Sequence, residues 1–458
     1  MKKWWLIFTP VAIFVVILAV ILNNSVNTSN NPTDISSLNI DNGDLNIDWP
    51  KYGEKTITLE KALTITESGT YNIYGSLEDD NIIINVPNGK VKLILNNVSI
   101  KNSSGPAISC YAADDLVIEL VGENYLEDGK THASNLDEDV NGVIYSKADL
   151  IFQGEGSLAL TSHYQDGIVS KDDLTIRGGT YDITSVDDAI RGKDSVHIAG
   201  GNIDIKSVSD GIKSTSNSEA GKGFVYIESG SINIEAGDDG IHAETSLIID
   251  DGNIKIAKSY EGLEGKIITI NDGTIYTKSS DDGINAGNGT SESNTPRPGG
   301  MMDADENCIL TINNGDIYVN AGGDGIDSNG YVYINGGKIV VDGPTNNGNG
   351  ALDSGLGIII NGGEALAIGS SGMAEKFSQK SSISSISINL SSMADAGSKI
   401  ELKDSSGNII FEHTSAKRFS NITAASPKLT DSGTYILYID GEPTKTLCYN
   451  NKKEVPCN

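Results

Sequence analysis

Asp166-Gly167-Ile168, Asp188-Ala189-Ile190, Asp210-Gly211-Ile212, Asp239-Gly240-Ile241, Glu261-Gly262-Leu263, Asp282-Gly283-Ile284 and Asp324-Gly325-Ile326 are one phrase written seven times. Their acidic positions lie 22, 22, 29, 22, 21 and 42 residues apart. The two long intervals carry insertions, so the underlying period is about 22, the mark of a solenoid. Nine residues before the acid stand Gly179, Gly201, Gly230, Gly252, Gly273 and Gly315. Glycine takes positive φ without penalty, so each reads as the same tight turn. Between turn and acid the residues alternate, as in Ile203/Ile205, Ile232/Ile234, Ile254/Ile256 and Ile317/Val319, the period of a half-buried strand. A second short strand precedes each glycine (Leu174-Thr175-Ile176, Val196-His197-Ile198, Leu247-Ile248-Ile249, Val332-Tyr333-Ile334), and the acidic phrase supplies a third.

Three strands and three turns in about 22 residues predict one coil of a single-stranded parallel β-helix. A helical solenoid fails because Ile, Val, Thr and Gly dominate, and the calcium-binding nonapeptide repeat is absent. Coils stack at about 4.8 Å, so equivalent residues form columns. Ile168, Ile190, Ile212, Ile241, Leu263, Ile284, Ile326 and Leu352 are expected to form one apolar column. The acids before them are expected to point outward and stack as well.

The chain carries 33 basic against 62 acidic residues, a net charge of −29. That excess argues against nucleic acid as partner, because phosphate binding needs a basic face. Lys2 and Lys3 precede an apolar run from Trp4 to Leu22. Nineteen residues at 1.5 Å each reach about 28 Å, enough to cross a bilayer with the rest of the chain outside. An uncleaved anchor over 1–22 and a cleaved signal are both open; either puts the domain outside the cytoplasm. Residues 23–50, rich in Asn, Ser and Asp, read as a flexible linker. The β-helix is expected over 51–370, its first coils carrying Pro106-Ala107-Ile108 and Asn141-Gly142-Val143 in place of the acidic phrase. Insertions are expected at 122–140, 214–223 and 286–307. Residues 371–458 read as a small antiparallel β cap, and the whole chain as a monomer. Cys448 and Cys457 are placed to close a short loop in an oxidising compartment. Cys110 and Cys308, about seven coils or 30 Å apart, read as buried free thiols.

Carboxylates in a column are costly. Two unit charges 4.8 Å apart repel by about 0.9 kcal/mol in water and about 3.5 kcal/mol at an effective dielectric of 20. Asp-Gly is ordinary turn chemistry, but a column of neighbours needs compensation. Arg191 and Lys213 are placed to supply it near the first coils. Farther on, the matching positions hold His242, Glu264, Asn285, Asp327 and Asp353. Hard oxygen donors in such a set suit Ca²⁺, and no dense His or Cys cluster points to zinc or copper. The candidate metal ligands are therefore Asp166, Asp188, Asp210, Asp238, Asp239, Glu261, Glu264, Asp281, Asp282, Asp324, Asp327 and Asp353.

The opening GTYNIYGSLEDDNIIINV, the stretch VKLILNNVSIKNSSGPAIS, the coils and the tail AKRFSNITAASPKLTDSGTYILYIDG together resemble a bacterial carbohydrate-binding domain family. The resemblance covers about residues 54–445. It implies a pectate-lyase-like right-handed parallel β-helix that binds cellulose and acidic sugars and holds calcium. Divalent ions would then bridge protein carboxylates to uronate carboxylates, which a protein of this charge otherwise repels. Candidate sugar contacts are Tyr164, Arg191, Lys213 and Tyr260, with Tyr276 and Tyr318 as further aromatic surface. Two rival functions stay open: a calcium-dependent polysaccharide lyase, and a surface spacer or adhesin. No nucleophile constellation involves His163, His197 or His242, so no catalytic residue is assigned.

Overall fold

The structure is a computed structural model that describes residue 38, residues 47–133, residue 136, and residues 140–288 and 304–457. The expected membrane anchor and most of the linker lie outside the described residues. Among the described residues no helix is long and apolar enough to cross a membrane. Apart from one 3-10 turn at Trp49–Tyr52, regular structure there is all β.

The chain winds through a large, mostly parallel sheet with a β-helix-like register. Three short faces recur per coil. The first holds the acidic phrase: strands Asp166–Ser170, Ile190–Gly192, Ile212–Ser214, Ile284–Ala286 and Ile326–Ser328. In two coils its strand runs on around the corner into the second face, as Ile241–Ile249 and Leu263–Ile270. The second face holds Asp173–Ile176, Ser195–Ile198, Phe224–Ile227, Ile309–Ile312, Tyr331–Ile334 and Gly357–Ile360. The third holds Thr180–Thr184, Asn202–Lys206, Ser231–Glu235, Thr274–Ser279, Asp316–Ala321 and Lys338–Asp342.

Register pairs each repeat with its neighbour. Leu63, Ile82, Ile108, Ile144, Ile168, Ile190, Ile212, Ile241, Leu263, Ile284, Ile326 and Leu352 form one column, longer at its start than the repeats suggested. Leu116, Leu150, Leu174, Val196, Val225, Leu247, Ile268, Leu310, Val332 and Ile358 form another on the second face. Side chains of both columns sit in one continuous core. Each fully buried Ile or Leu contributes about 1.5–3 kcal/mol.

Two sequence expectations shift in the first coils. Gly142 pairs with Asp166 and Ile144 with Ile168, so the phrase there is Gly142-Val143-Ile144, one residue later than expected. Residues 122–140 are not all insertion. Glu123–Asp128 is a regular third-face strand paired with Ser157–Thr161, with Leu126 inside. Polar residues at two of its inward positions, Asn124 and Asp128, disguised the alternation.

The turn glycines Gly179, Gly201, Gly230, Gly252, Gly273 and Gly315 all have positive φ, between +95° and +126°. They stack on one another, and a Cβ on Gly273 would lie 2.9 Å from the Gly252 carbonyl oxygen. Just before this turn runs an amide ladder that the sequence reading did not anticipate. Asn271 Nδ2 donates to Asp250 (2.7 Å), Asn313 to Asn271 (2.7 Å), Asn335 to Asn313 (2.9 Å) and Asn361 to Asn335 (3.0 Å).

The parallel coils end at Glu364–Gly369, which pairs antiparallel with Phe419–Ala425, itself paired with Ser385–Ala394. A separate five-stranded antiparallel sheet contains Lys399–Asp404, Ile409–Thr414, Gly433–Ile439, Glu442–Asn450 and Lys453–Val455. Leu366 and Ile368 of the last coil share a core with Ile400, Leu402 and Leu437 of that sheet. Cys448 and Cys457 form a disulfide, and Cys110 and Cys308 are buried free thiols.

Gly273→Ala is expected to shift the urea midpoint more than Gly407→Ala does. Both sit at positive φ, but nothing lies within 4 Å of a Cβ at Gly407. The open turn is expected to cost about 1 kcal/mol, and the stacked one a further 1–3 kcal/mol or so from overpacking. Equal midpoints at unchanged m would refute the stacked-turn account.

Candidate functional site

The acids of the phrase do not point outward. Asp166, Asp188, Asp210 and Asp239 are at most 7% exposed. The physical reason is the backbone. Each acid lies at the corner entering the first face, and its carboxylate turns along the axis to cap the next coil. Asp166 Oδ1 accepts the Asp188 N–H (3.2 Å), Asp188 Oδ1 that of Asp210 (3.1 Å) and Asp210 Oδ1 that of Asp239 (2.9 Å). Asp239 Oδ1 accepts from Glu261 N (3.3 Å) and Asp282 Oδ1 from Asp324 N (2.6 Å), and Asp324 caps Gly350. A carboxylate receiving backbone donors is stabilised in its charged form, and this offsets part of the repulsion.

A second column runs three residues later, and its register is Val169, Arg191, Lys213, His242, Glu264, Asn285, Asp327. Its chemistry changes along the axis. Arg191 Nη1 lies 3.1 Å from Asp166 and 3.6 Å from Asp188. Lys213 Nζ is paired with Asp210. His242 Nδ1 lies 3.2 Å from Asp239 and is also paired with Glu264. Burial works against the imidazolium, but these two carboxylates win and push His242 up to about 10. For Glu264 burial is likewise outweighed by the His242 hydrogen bond, and its carboxyl stays below the usual range.

Beyond Glu264 the compensation stops. Asn285 Nδ2 donates to Glu261 at 2.9 Å, yet burial, with the charge of Glu264, pushes Glu261 up to about 9. Burial, reinforced by neighbouring carboxylates, raises Asp282 to about 7 and Asp327 to about 8. Asp324 rises to about 6 through burial and Asp353, although the Gly350 N–H opposes this. No cation among the described residues pairs with Asp282, Asp324, Asp327 or Asp353. Glu375 joins this end from the segment after the coils. Burial and the charges of Asp353 and Asp324 push it up to about 7. It lies outside every repeat, so no sequence signal pointed to it.

The structure thus divides the twelve expected ligands. Asp166, Asp188, Asp210, Asp239 and Glu264 lie beside Arg191, Lys213 and His242, with Asp238 exposed next to Asp239, though burial still raises Asp166 to about 7 and holds Asp210 and Asp239 above their usual range. Donor oxygens do gather within 4.8 Å in Asp166–Asp187–Asp188 and Asp210–Asp238–Asp239, but each group has a paired cation beside it. Glu261, Asp281, Asp282, Asp324, Asp327 and Asp353, with Glu375, make the uncompensated end. Its donors are carboxylates, the kind a hard divalent ion takes, but among the described residues the groups whose donor atoms gather within 4.8 Å all lie at or before Glu264.

The sugar-contact candidates are not brought together. Arg191 and Lys213 are held in the ion pairs above. Tyr164 stacks on His132 at 4.1 Å beside the first acidic coil. Tyr260, 47% exposed, lies four coils farther along, roughly 19 Å away. A hydrogen bond to Asp281 pushes its phenol up to about 12. Tyr276 and Tyr318 stack on each other with centroids 5.4 Å apart, so they cover each other's faces and offer edges rather than a flat platform.

The profile of a family described as carbohydrate-binding domain-containing protein matches residues 59–295, more than half of the chain. A carbohydrate-binding domain-containing protein of Acetivibrio thermocellus is 33% identical over 127 residues, covering 26% of this chain and 44% of that protein. The chain thus spans less than half the length of that relative. A solved structure described as the polysaccharide lyase-like protein from C. thermocellum, gadolinium derivative, is 26% identical. It covers 49% of this chain and 94% of that one, with a TM-score of 0.42.

Two outcomes follow from the electrostatics. Asp282, Asp324, Asp327 and Glu375 have carboxyls raised well above the unfolded value of about 4. The folded state then binds more protons than the unfolded one, so stability falls as pH rises from about 4 through 8. In chelator, the melting temperature is expected to drop between pH 5 and pH 8, and Asp327→Asn to flatten that slope; a rising curve would contradict the assignment. Arg191→Met leaves Asp166 and Asp188 buried without their cation and is expected to cost about 3–5 kcal/mol, read by urea denaturation.

Proposed function

The chain belongs to the family of carbohydrate-binding domain-containing proteins, and from that premise we propose that it binds acidic polysaccharide through Ca²⁺ held at the uncompensated end of the acidic column. Asp282, Asp324, Asp327, Asp353 and Glu375, whose charges act on one another, would hold one or more ions between neighbouring coils, with Glu261 and Asp281 beside them. A bound divalent ion would answer the carboxylates that no protein cation answers, and would supply positive charge toward uronate groups. One observation carries this reading: the same column is flanked by Arg191, Lys213 and His242 in the earlier coils and left bare in the later ones. Exposed Tyr260, hydrogen-bonded to Asp281, stands at the edge of the bare end and is the aromatic contact for the sugar.

The coils are read as those of a right-handed, single-stranded β-helix. From its apolar N-terminal run we read the domain as lying outside the cytoplasm, as an anchored or secreted monomer. Binding is favoured over lyase chemistry because Arg191, the arginine beside the acidic column, is engaged by Asp166 and Asp188 rather than left as a base. Cellulose is the less favoured glycan, since the stacked Tyr276 and Tyr318 present no flat face.

Polygalacturonate is expected to retain the protein in calcium and release it in chelator, without forming the unsaturated product that absorbs in the ultraviolet. Asp324→Asn with Asp327→Asn should weaken calcium binding at least tenfold, by calorimetry, with the fold intact by circular dichroism. Identical melting temperatures in calcium and in chelator at pH 8 would remove the metal from this account. Retention that ignores chelator would remove the bridging role.

A further inference from the structure

A second feature stands apart from the acidic column. A cleft of about 360 Å³ opens where the segment leaving the last coil meets the C-terminal sheet. Its walls include Lys376, Gln379, Ser385, Tyr449 and Lys452, with Glu454 at one side. The volume suits on the order of one or two sugar residues.

The charge of this cleft runs against the rest of the chain. Two lysines face one glutamate in a protein of net charge −29. Glu454 is answered by Lys445, 3.6 Å away and not part of the lining. Lys452 donates to the Ser382 carbonyl at 3.4 Å and lies 3.9 Å from Asp431. Lys376 has no ion pair or hydrogen bond among the described residues. The Gln379 amide, the Ser385 hydroxyl and the Tyr449 hydroxyl likewise have no side-chain hydrogen bond among them. Burial pushes the Tyr449 phenol up to about 12, so it stays a hydrogen-bond donor across the working pH range. Phe377 and Ile386 supply apolar wall. An ammonium, a planar amide, two hydroxyls and an apolar wall are the groups that recognise a carboxylate-bearing pyranose ring.

We infer that this cleft is a calcium-independent subsite for a single hexuronate residue, such as the end of an acidic glycan chain. Lys376 takes the carboxylate, and Gln379, Ser385 and Tyr449 take ring hydroxyls. The inference rests on the carbohydrate-binding reading above but not on its metal. It gives the protein two unlike ways of holding one kind of polymer, a bridged one on the coils and a direct one at the cap.

The test is a titration of the full-length chain with D-galacturonate in chelator, followed by calorimetry or NMR. Saturable binding is expected to persist there and to be unchanged in the Asp324→Asn/Asp327→Asn protein. Lys376→Ala should weaken it at least fivefold and Gln379→Ala at least twofold; neither side chain makes a described contact whose loss would unfold the cap. Galactose and acetate should each bind at least tenfold more weakly than galacturonate. No saturable binding in chelator, an unaltered affinity in Lys376→Ala, or acetate binding as tightly as galacturonate would overturn the subsite. Loss of calcium-dependent polygalacturonate retention with galacturonate binding intact would overturn the coil reading alone.

Discussion

In-register stacking is the constraint from which the rest of this molecule follows. Parallel coils set each residue about 4.8 Å from its equivalent in the next coil, so like meets like along the whole axis. For apolar residues this is favourable at every step, and the column from Leu63 to Leu352 gains by it. For asparagine it is also favourable, because an amide is both donor and acceptor: Asn313 accepts from Asn335 while donating to Asn271. For a carboxylate, which only accepts when ionised, it is unfavourable. The acidic column is where the stacking rule and electrostatics conflict.

The molecule resolves that conflict in two ways. One is local: Asp166, Asp188, Asp210, Asp239, Asp282 and Asp324 each cap a backbone N–H of the following coil, while Glu261 accepts from the Asn285 side chain instead. The other is positional. The neighbouring column places a guanidinium, an ammonium and an imidazolium beside the earlier acids, then an acid, an amide and another acid beside the later ones. Buried charge without a partner is costly. The raised carboxyls of Glu261, Asp282 and Asp327 express that cost as proton uptake. Along one register the residues change from Lys213 to Asp327, and that change marks where the protein's own cations stop.

The segment 214–223 leaves between the first and second faces in the coil of Asp210 and Lys213, where its Lys222 pairs with Asp194. The strands after residue 370 do not merely cover the helix. Phe419–Ala425 extends its sheet, and buried Asp342 accepts from the Tyr318 hydroxyl (2.6 Å), His413 Nε2 (3.1 Å) and Ala416 N (3.2 Å). The cap is thus held to the coils by a hydrogen-bonded carboxylate as well as by the apolar contact through Leu366 and Ile368.

Periodicity alone determined the coil, its three strands, the inward isoleucine column and the positive-φ glycines, because each is a repeated local choice that stacking reinforces. It also determined which residues share the second column, since register follows from counting. It did not determine where the acids point. Strand alternation predicts outward, but a residue at a corner before glycine is free to turn along the axis, and only the stacked backbone shows the N–H it meets. The strand Glu123–Asp128 was hidden for a related reason: two of its three inward residues, Asn124 and Asp128, are polar, and Leu126 becomes significant only once neighbouring coils define the interior. The sequence placed Arg191 and Lys213 beside the acids, but tertiary structure alone decided that those acids are buried, that Glu375 joins Asp324 and Asp353, and that a lysine-bearing cleft opens beside the cap. These depend on distances between residues far apart in sequence, and no repeat carries that information.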